Sequence, residues 1–192
     1  LINGKILNGH QDMEVETGKA IFIKNEKIVA IEPYRNLDKS YQIIDLQGKY
    51  ILPGLINMHV HLAGNGKPQK KQRDNEKLVK TIMSSSLTRT IAYKMVAGFA
   101  KDELFSGVTT IRTVGGLGNF DTRLRDEIES GTKLGPRILA ANQGISVPGG
   151  HMAGSVAVAA STIPDALKQL EKAKQEKVDL IKLMITGGVL FC

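Results

Sequence analysis

The sequence predicts an α/β fold: a small β layer over residues 1–50, then strands and helices in alternation over residues 51–192. Two observations lead there. The first fifty residues hold short β-prone runs separated by turn residues. After Tyr50 the chain reads β, α, β, α, β, α, β, with short strands rich in apolar or β-branched residues. Strands of that texture are buried on both faces, and alternation with helices means a parallel sheet or barrel.

In the β layer, residues 20–23 and 27–31 are two β-prone runs around Asn25-Glu26, which predicts a hairpin. Residues 43–46 form a further run closed by Gln47-Gly48. Pro53-Gly54 then punctuates the chain, and residues 55–61 read as the first buried strand. Residues 64–74 are a polar loop. Residues 76–105 read as helix, with Leu78, Ile82, Ile91, Met95 and Phe99 at helical spacing, stopped by Gly107. Residues 108–113 are β-branched and form the second strand. Asp121 is placed to cap a helix that turns Leu124 and Ile128 inward and ends at Gly131. Residues 137–141 are the third strand. Thr162 and Asp165 have capping-box spacing and open a helix with Ala166, Leu167, Leu170 and Ala173 on one face. Residues 179–185 are the fourth strand, followed by Thr186-Gly187-Gly188.

Composition narrows the function classes. The chain is 42% hydrophobic and 23% charged, which suits a globular protein. No stretch approaches the ~18 uninterrupted apolar residues of a membrane span, so no membrane partner is expected. Cys192 is the only cysteine, which rules out an intrachain disulfide and fits a cytoplasmic location. The chain opens on Leu1 and not Met, so a trimmed N-terminus is expected. Part of the net charge of +7 sits on Lys67, Lys70, Lys71 and Arg73. Without Trp or interleaved aromatics this run reads as a solvated loop, and no nucleic acid partner is expected.

His59 and His61 carry the chemistry. Two apart on a strand, they share a face, and they sit at its C-terminal end, where parallel α/β folds build their sites. Two imidazoles there make half of a metal site; the alternative is a pair of core histidines.

Residues 52–61, Leu-Pro-Gly-Leu-Ile-Asn-Met-His-Val-His, resemble the first-strand signature of the amidohydrolase superfamily. Residues 107–112 and 135–141 resemble its second and third barrel strands. Gly149-Gly150-His151 and residues 179–188 extend the match over essentially the whole chain. Together they are similar to the branch of imidazolonepropionase-like hydrolases, Xaa-Pro dipeptidases and zinc-dependent arginine carboxypeptidases. The resemblance implies a (β/α)8 TIM barrel preceded by part of a β-sandwich. Such a barrel typically takes ~250 residues, so it is incomplete in this chain.

The resemblance also implies a ligand set. Lys182 becomes a carbamate and, with His59 and His61, binds divalent metal, two zinc ions being the expectation. A charged ammonium in an apolar strand is costly, which favours the neutral amine that adds carbon dioxide; the alternative is a lysine that snorkels to the rim. The implied reaction is hydrolysis of C–N bonds in dipeptides or N-acyl amino acids by a metal-bound hydroxide. His151 is a candidate substrate contact or a structural loop residue, and Arg112 a candidate anion holder or an ion-pair partner. The family's usual Asp is replaced by Asn57 and another frequent Asp by Thr113. Its later ligands and its general-base Asp fall outside this chain, so the chain alone is expected to be inactive. The alternatives are an inactive fragment and a mononuclear deaminase or imidazolone hydrolase of the same superfamily. A homo-oligomer is one way to cover the open barrel edge.

Overall fold

The computed structural model describes residues 1–34, 40–66 and 74–185. The Lys67 to Arg73 charge run and Thr186-Gly187-Gly188 lie outside the described residues. The chain divides into two units, Leu1–Gly54 and Leu55–Cys192.

The first unit contains β1 (Lys5–Leu7), β2 (Val15–Glu16), β3 (Lys19–Lys24), β4 (Lys27–Pro33) and β5 (Tyr50–Ile51). β3 and β4 form the expected hairpin, with Lys24 opposite Lys27. Asn25 and Glu26 take φ of 48° and 62°, the positive pair that a two-residue type I′ turn requires. β1 pairs antiparallel with β2 and parallel with β5. The expected strand over residues 43–46 reduces to a bridge between Ile2 and Asp45. Gln47 and Gly48 have positive φ and turn the backbone away before a ladder can form.

The second unit contains β6 (Leu55–Val60), α1 (Asn75–Met83), α2 (Ser86–Phe105), β7 (Val108–Thr113), α3 (Phe120–Glu129), β8 (Arg137–Leu139), β9 (Gly144–Ser146), β10 (Ala157–Ala159), α4 (Ile163–Gln175) and β11 (Leu183–Met184). β6, β7 and β8 form one sheet and β10, β9 and β11 another, all pairs parallel. The segment from β8 to β9 joins them: Asp179 N–H donates to the Ala140 carbonyl at 2.8 Å and Ile145 N–H to the Lys182 carbonyl at 2.9 Å. The third expected strand is therefore shorter than residues 137–141, and β9 continues its course. The fourth, over residues 179–185, keeps only Leu183–Met184 as regular ladder.

The core gathers Leu62, Ile111, Leu124, Ile138 and Ala140 between sheet and helices. α2 buries Ala92, Tyr93, Val96 and Ala100. Ile91 and Met95, which carry part of the helical spacing in the sequence, are half exposed. The two sets are one position, hence about 100°, apart on the helix, and the alanines let the helix axis approach the sheet closely. The single helix expected over residues 76–105 breaks at Ser84-Ser85. Ser85 is extended and its hydroxyl accepts from Thr88 N–H at 3.2 Å, so it caps a new helix instead of continuing the old one. The capping box at Thr162 and Asp165 forms as expected, although α4 buries no residue fully.

Asp121 does not cap α3. Asn119 holds the cap position, and Asp121 lies in the first turn with its side chain turned into the interior, 1% exposed.

Candidate metal centre

β6 carries His59, with Val60 buried beneath it and His61 one step beyond the strand. The two imidazoles meet edge to face, ring centroids 5.3 Å apart at 66°. The strand alternation thus brings both rings to one place, at the C-terminal end of a parallel strand. Neighbouring strands fix the backbone: Val114 N–H donates to the Val60 carbonyl at 3.1 Å. Asn57 Oδ1 accepts from His59 N–H at 3.2 Å, so this side chain is engaged with the local backbone.

His61 is the better anchored ring. Its Nδ1 lies 3.0 Å from the Gly115 carbonyl oxygen. A neutral imidazole donating through Nδ1 keeps its lone pair on Nε2, the form in which histidine binds metal. Gly115 has φ of 142°, and a Cβ there would sit 3.1 Å from the His61 ring. Only glycine permits this approach.

The charges of the other expected site residues act on His59. Its imidazole is held below its ordinary value by desolvation first, and then by the charges of His61, Lys182, Arg112 and His151. All five residues singled out by sequence therefore share one electrostatic environment. Arg112, on β7, donates from Nε to the Met58 carbonyl at 2.8 Å across the strand pair. Its alternative as an ion-pair partner has no counterpart among the described residues: this hydrogen bond goes to backbone, and no carboxylate pairs with it. Lys182 precedes β11, opposite Gly144, and its Cγ would be 3.3 Å from a Cβ at that glycine. The missing side chain leaves room for the lysine stem. His151 lies in the loop between β9 and β10, after Gly149-Gly150.

The donor set suits a divalent metal of the zinc kind: two imidazoles, one with its Nδ1 facing a backbone carbonyl. Among the described residues no three His, Cys, Asp or Glu side chains converge.

The sequence profile of the amidohydrolase family matches residues 50–191. The chain belongs to this family. An imidazolonepropionase from Pseudoalteromonas atlantica is 34% identical over 127 residues, 58% of this chain and 31% of that protein. A solved structure of a putative prolidase from Bifidobacterium longum superposes with a TM-score of 0.73 at 29% identity, covering 97% of this chain and 40% of that one. A Xaa-Pro dipeptidase solved with bound methionine gives 0.68 at 27% identity, covering 97% and 47%. The chain spans less than a third of the curated relatives it matches and less than half of these solved structures. Amidohydrolase family membership and the parallel α/β arrangement thus agree with the sequence reading. No helix among the described residues is long and apolar enough to cross a membrane.

Two features of this amidohydrolase site escaped the sequence reading: the Gly115 carbonyl and the Asp121 carboxyl. Burial pushes Asp121 up to about 6, opposed by a side-chain hydrogen bond with Thr113. The signal was the pair Gly115-Gly116 ahead of an acid, which marks a tight bend with something packed against it. The raised value has a consequence for stability. Between the ordinary 3.8 and about 6 the folded chain holds a proton that the unfolded chain has lost. Stability is fully present below 3.8 and falls as pH rises through 6. Asp121→Asn is expected to remove this slope and to stabilise the chain at pH 7 by about 1–3 kcal/mol. Urea denaturation of both proteins at pH 4 and pH 7 checks it; equal pH dependence in the two refutes it.

Proposed function

We propose that these residues form the first part of the active centre of a metal-dependent hydrolase acting on C–N bonds of small amides, with dipeptides or N-acyl amino acids as the substrate class. The observation that carries the reading is the His59–His61 pair, rings 5.3 Å apart at the end of a parallel strand. Residues 51–192 supply the opening strands of a (β/α)8 barrel and residues 1–50 part of a β-sandwich. The remaining strands and the general-base carboxylate are assigned to segments outside these 192 residues.

His59 and His61 hold the metal through neutral imidazole nitrogens. Lys182, once carboxylated, would add anionic oxygens to the ligand set. When bound, divalent metal supplies Lewis acidity toward water and toward the scissile carbonyl. Arg112 holds the anionic end of the substrate, and His151 contacts the substrate from the loop after β9. The prolidase and dipeptidase likeness supports a substrate carrying a free carboxylate, and the guanidinium of Arg112 suits that group.

Zinc titration of the metal-free chain tests the reading. The wild-type chain is expected to take up zinc, and His59→Ala with His61→Ala to take up none. A wild-type chain that binds no zinc, or a double variant that binds it equally well, ends the proposal. A response of zinc uptake to bicarbonate separates the carbamate reading from a mononuclear deaminase-like site.

A further inference from the structure

Asp121 is the most deeply placed acid among the described residues, and the proposed chemistry does not use it. Its side chain is 1% exposed, and Oδ2 has no hydrogen-bond partner. A buried carboxyl with an idle oxygen is costly to keep. It persists where something else depends on it.

What it touches is the bend at Gly115-Gly116. A Cβ on Gly116 would fall 2.5 Å from Asp121 Oδ2 and 2.7 Å from Oδ1. No side chain fits there, so the carboxyl packs directly on the glycine backbone. On another side lies Thr113, which is wholly buried, favours the ionised form of Asp121, and accepts from Ala141 N–H at 3.2 Å. The carboxyl is thus wedged between the end of β7, the start of α3 and the bend. One residue along the bend, the Gly115 carbonyl faces His61 Nδ1 at 3.0 Å. A Cβ at Gly115 would lie 3.1 Å from the His61 ring and one at Gly116 2.5 Å from the Asp121 carboxyl, so the glycine bend runs between the two.

We infer that Asp121 is a positioning residue for His61. Its buried carboxyl holds the Gly115-Gly116 bend so that the Gly115 carbonyl keeps the imidazole protonated on Nδ1 and leaves Nε2 free for metal. The consequence for metal rests on the metal-centre reading above; the consequence for the tautomer does not.

The two are separated by measuring them apart. Nitrogen-15 NMR of the metal-free chain, labelled at histidine, reads which ring nitrogen of His61 carries the proton. Wild type is expected to show Nδ1–H. Asp121→Ala is expected to convert His61 to a tautomer mixture, while Asp121→Asn, which keeps the shape and the acceptor for Thr113, retains Nδ1–H. Gly116→Ala pushes the same contact from the other side and is expected to act like Asp121→Ala. Whichever of these two remains folded by circular dichroism decides. Zinc affinity, read by chelator competition, is expected to fall about ten- to a hundredfold in the tautomer-shifted variants. A folded Asp121→Ala or Gly116→Ala chain with His61 unchanged overturns the inference, as does a wild-type His61 protonated on Nε2. A tautomer shift in a wild-type background that binds no zinc ends the metal reading and leaves the positioning of His61 standing.

Discussion

Lys182→Ala is expected to lower zinc affinity by about a hundredfold or more and to erase any response to bicarbonate. Loss of an outer-shell partner of a ligand already costs about 10- to 100-fold in metal affinity, so loss of a ligand sets a floor there. Addition of carbon dioxide to the neutral amine forms a carbamate and releases a proton; alanine has no amine to add to. The structure gives the lysine its place. Its carbonyl is fixed by Ile145 N–H at 2.9 Å, and Gly144 opposite leaves the stem unobstructed. Its charge reaches His59, along with those of Arg112 and His151. Converting the lysine to an anion reverses one of the positive neighbours that oppose a cation here. Chelator competition with and without bicarbonate measures both effects. Unchanged zinc affinity in Lys182→Ala removes Lys182 from the ligand set.

The second large effect concerns the strut that holds this lysine's segment. Arg125, on α3, has a side chain only 10% exposed. Its Nη1 donates to Asp179 Oδ2 at 2.8 Å and to the Lys177 carbonyl at 2.9 Å. The same Asp179 oxygen accepts from Ala140 N–H at 2.8 Å. One carboxylate therefore ties helix α3, the end of β8 and the approach to β11 together. Asp179→Ala leaves the guanidinium short of a partner and a backbone N–H unpaired. Removing one partner of a buried pair costs about 3–5 kcal/mol. Asp126, which also accepts from Arg125, remains, and Asp179 is one-third exposed, so the expected loss is about 2–3 kcal/mol. Arg125→Met combined with Asp179→Ala is expected to cost less than the two single changes added together, since no stranded charge is left. Denaturant midpoints of the four proteins close the cycle. A loss under about 0.5 kcal/mol in Asp179→Ala contradicts the strut, because that is the range of an ordinary surface change.

The readable parts of this molecule are those where one physical rule dominates. The place of β6 was legible because Pro-Gly punctuation precedes a nearly unbroken apolar run, and the paired histidines because a strand's period of two puts them on one face; its burial was not, since Leu55, Ile56 and Met58 are 51%, 63% and 46% exposed and only Val60 is buried. The hairpin at Asn25-Glu26 and the Thr162 capping box are local chemistry and were equally plain. β9 and β10 were not, since three residues each, Gly144–Ser146 and Ala157–Ala159, are too few for periodicity to show. The helix break at Ser84-Ser85 hid inside a spacing pattern that continues across it. The helical spacing of Ile91, Met95 and Phe99 did not tell which residues of α2 go inside: Phe99 packs on the core, but Ile91 and Met95 stay half exposed while the smaller Ala92 and Ala100 are buried. Asp121 was misread because an acid at a helix start looks the same in sequence whether it folds back on the backbone or inward. The lysine at 182 stood out only through family likeness; nothing local distinguishes it from a rim lysine.

The serine break has a consequence for how the cleft beside the histidines behaves in time. α1 has nine residues and none fully buried; its Val79, Ile82 and Met83 pack partly buried against the core. Leu78, Val79 and Ile82 line the same cleft as His59 and His61. Because the backbone ladder is interrupted at Ser84-Ser85, unwinding α1 need not unwind α2, whose Ala100 is wholly interior. Such a segment opens at a free energy well below that of the whole unit. The wall of the cleft is therefore expected to open at lower cost than α2, and amide hydrogen exchange in α1 faster than in α2 is the measurement that checks it.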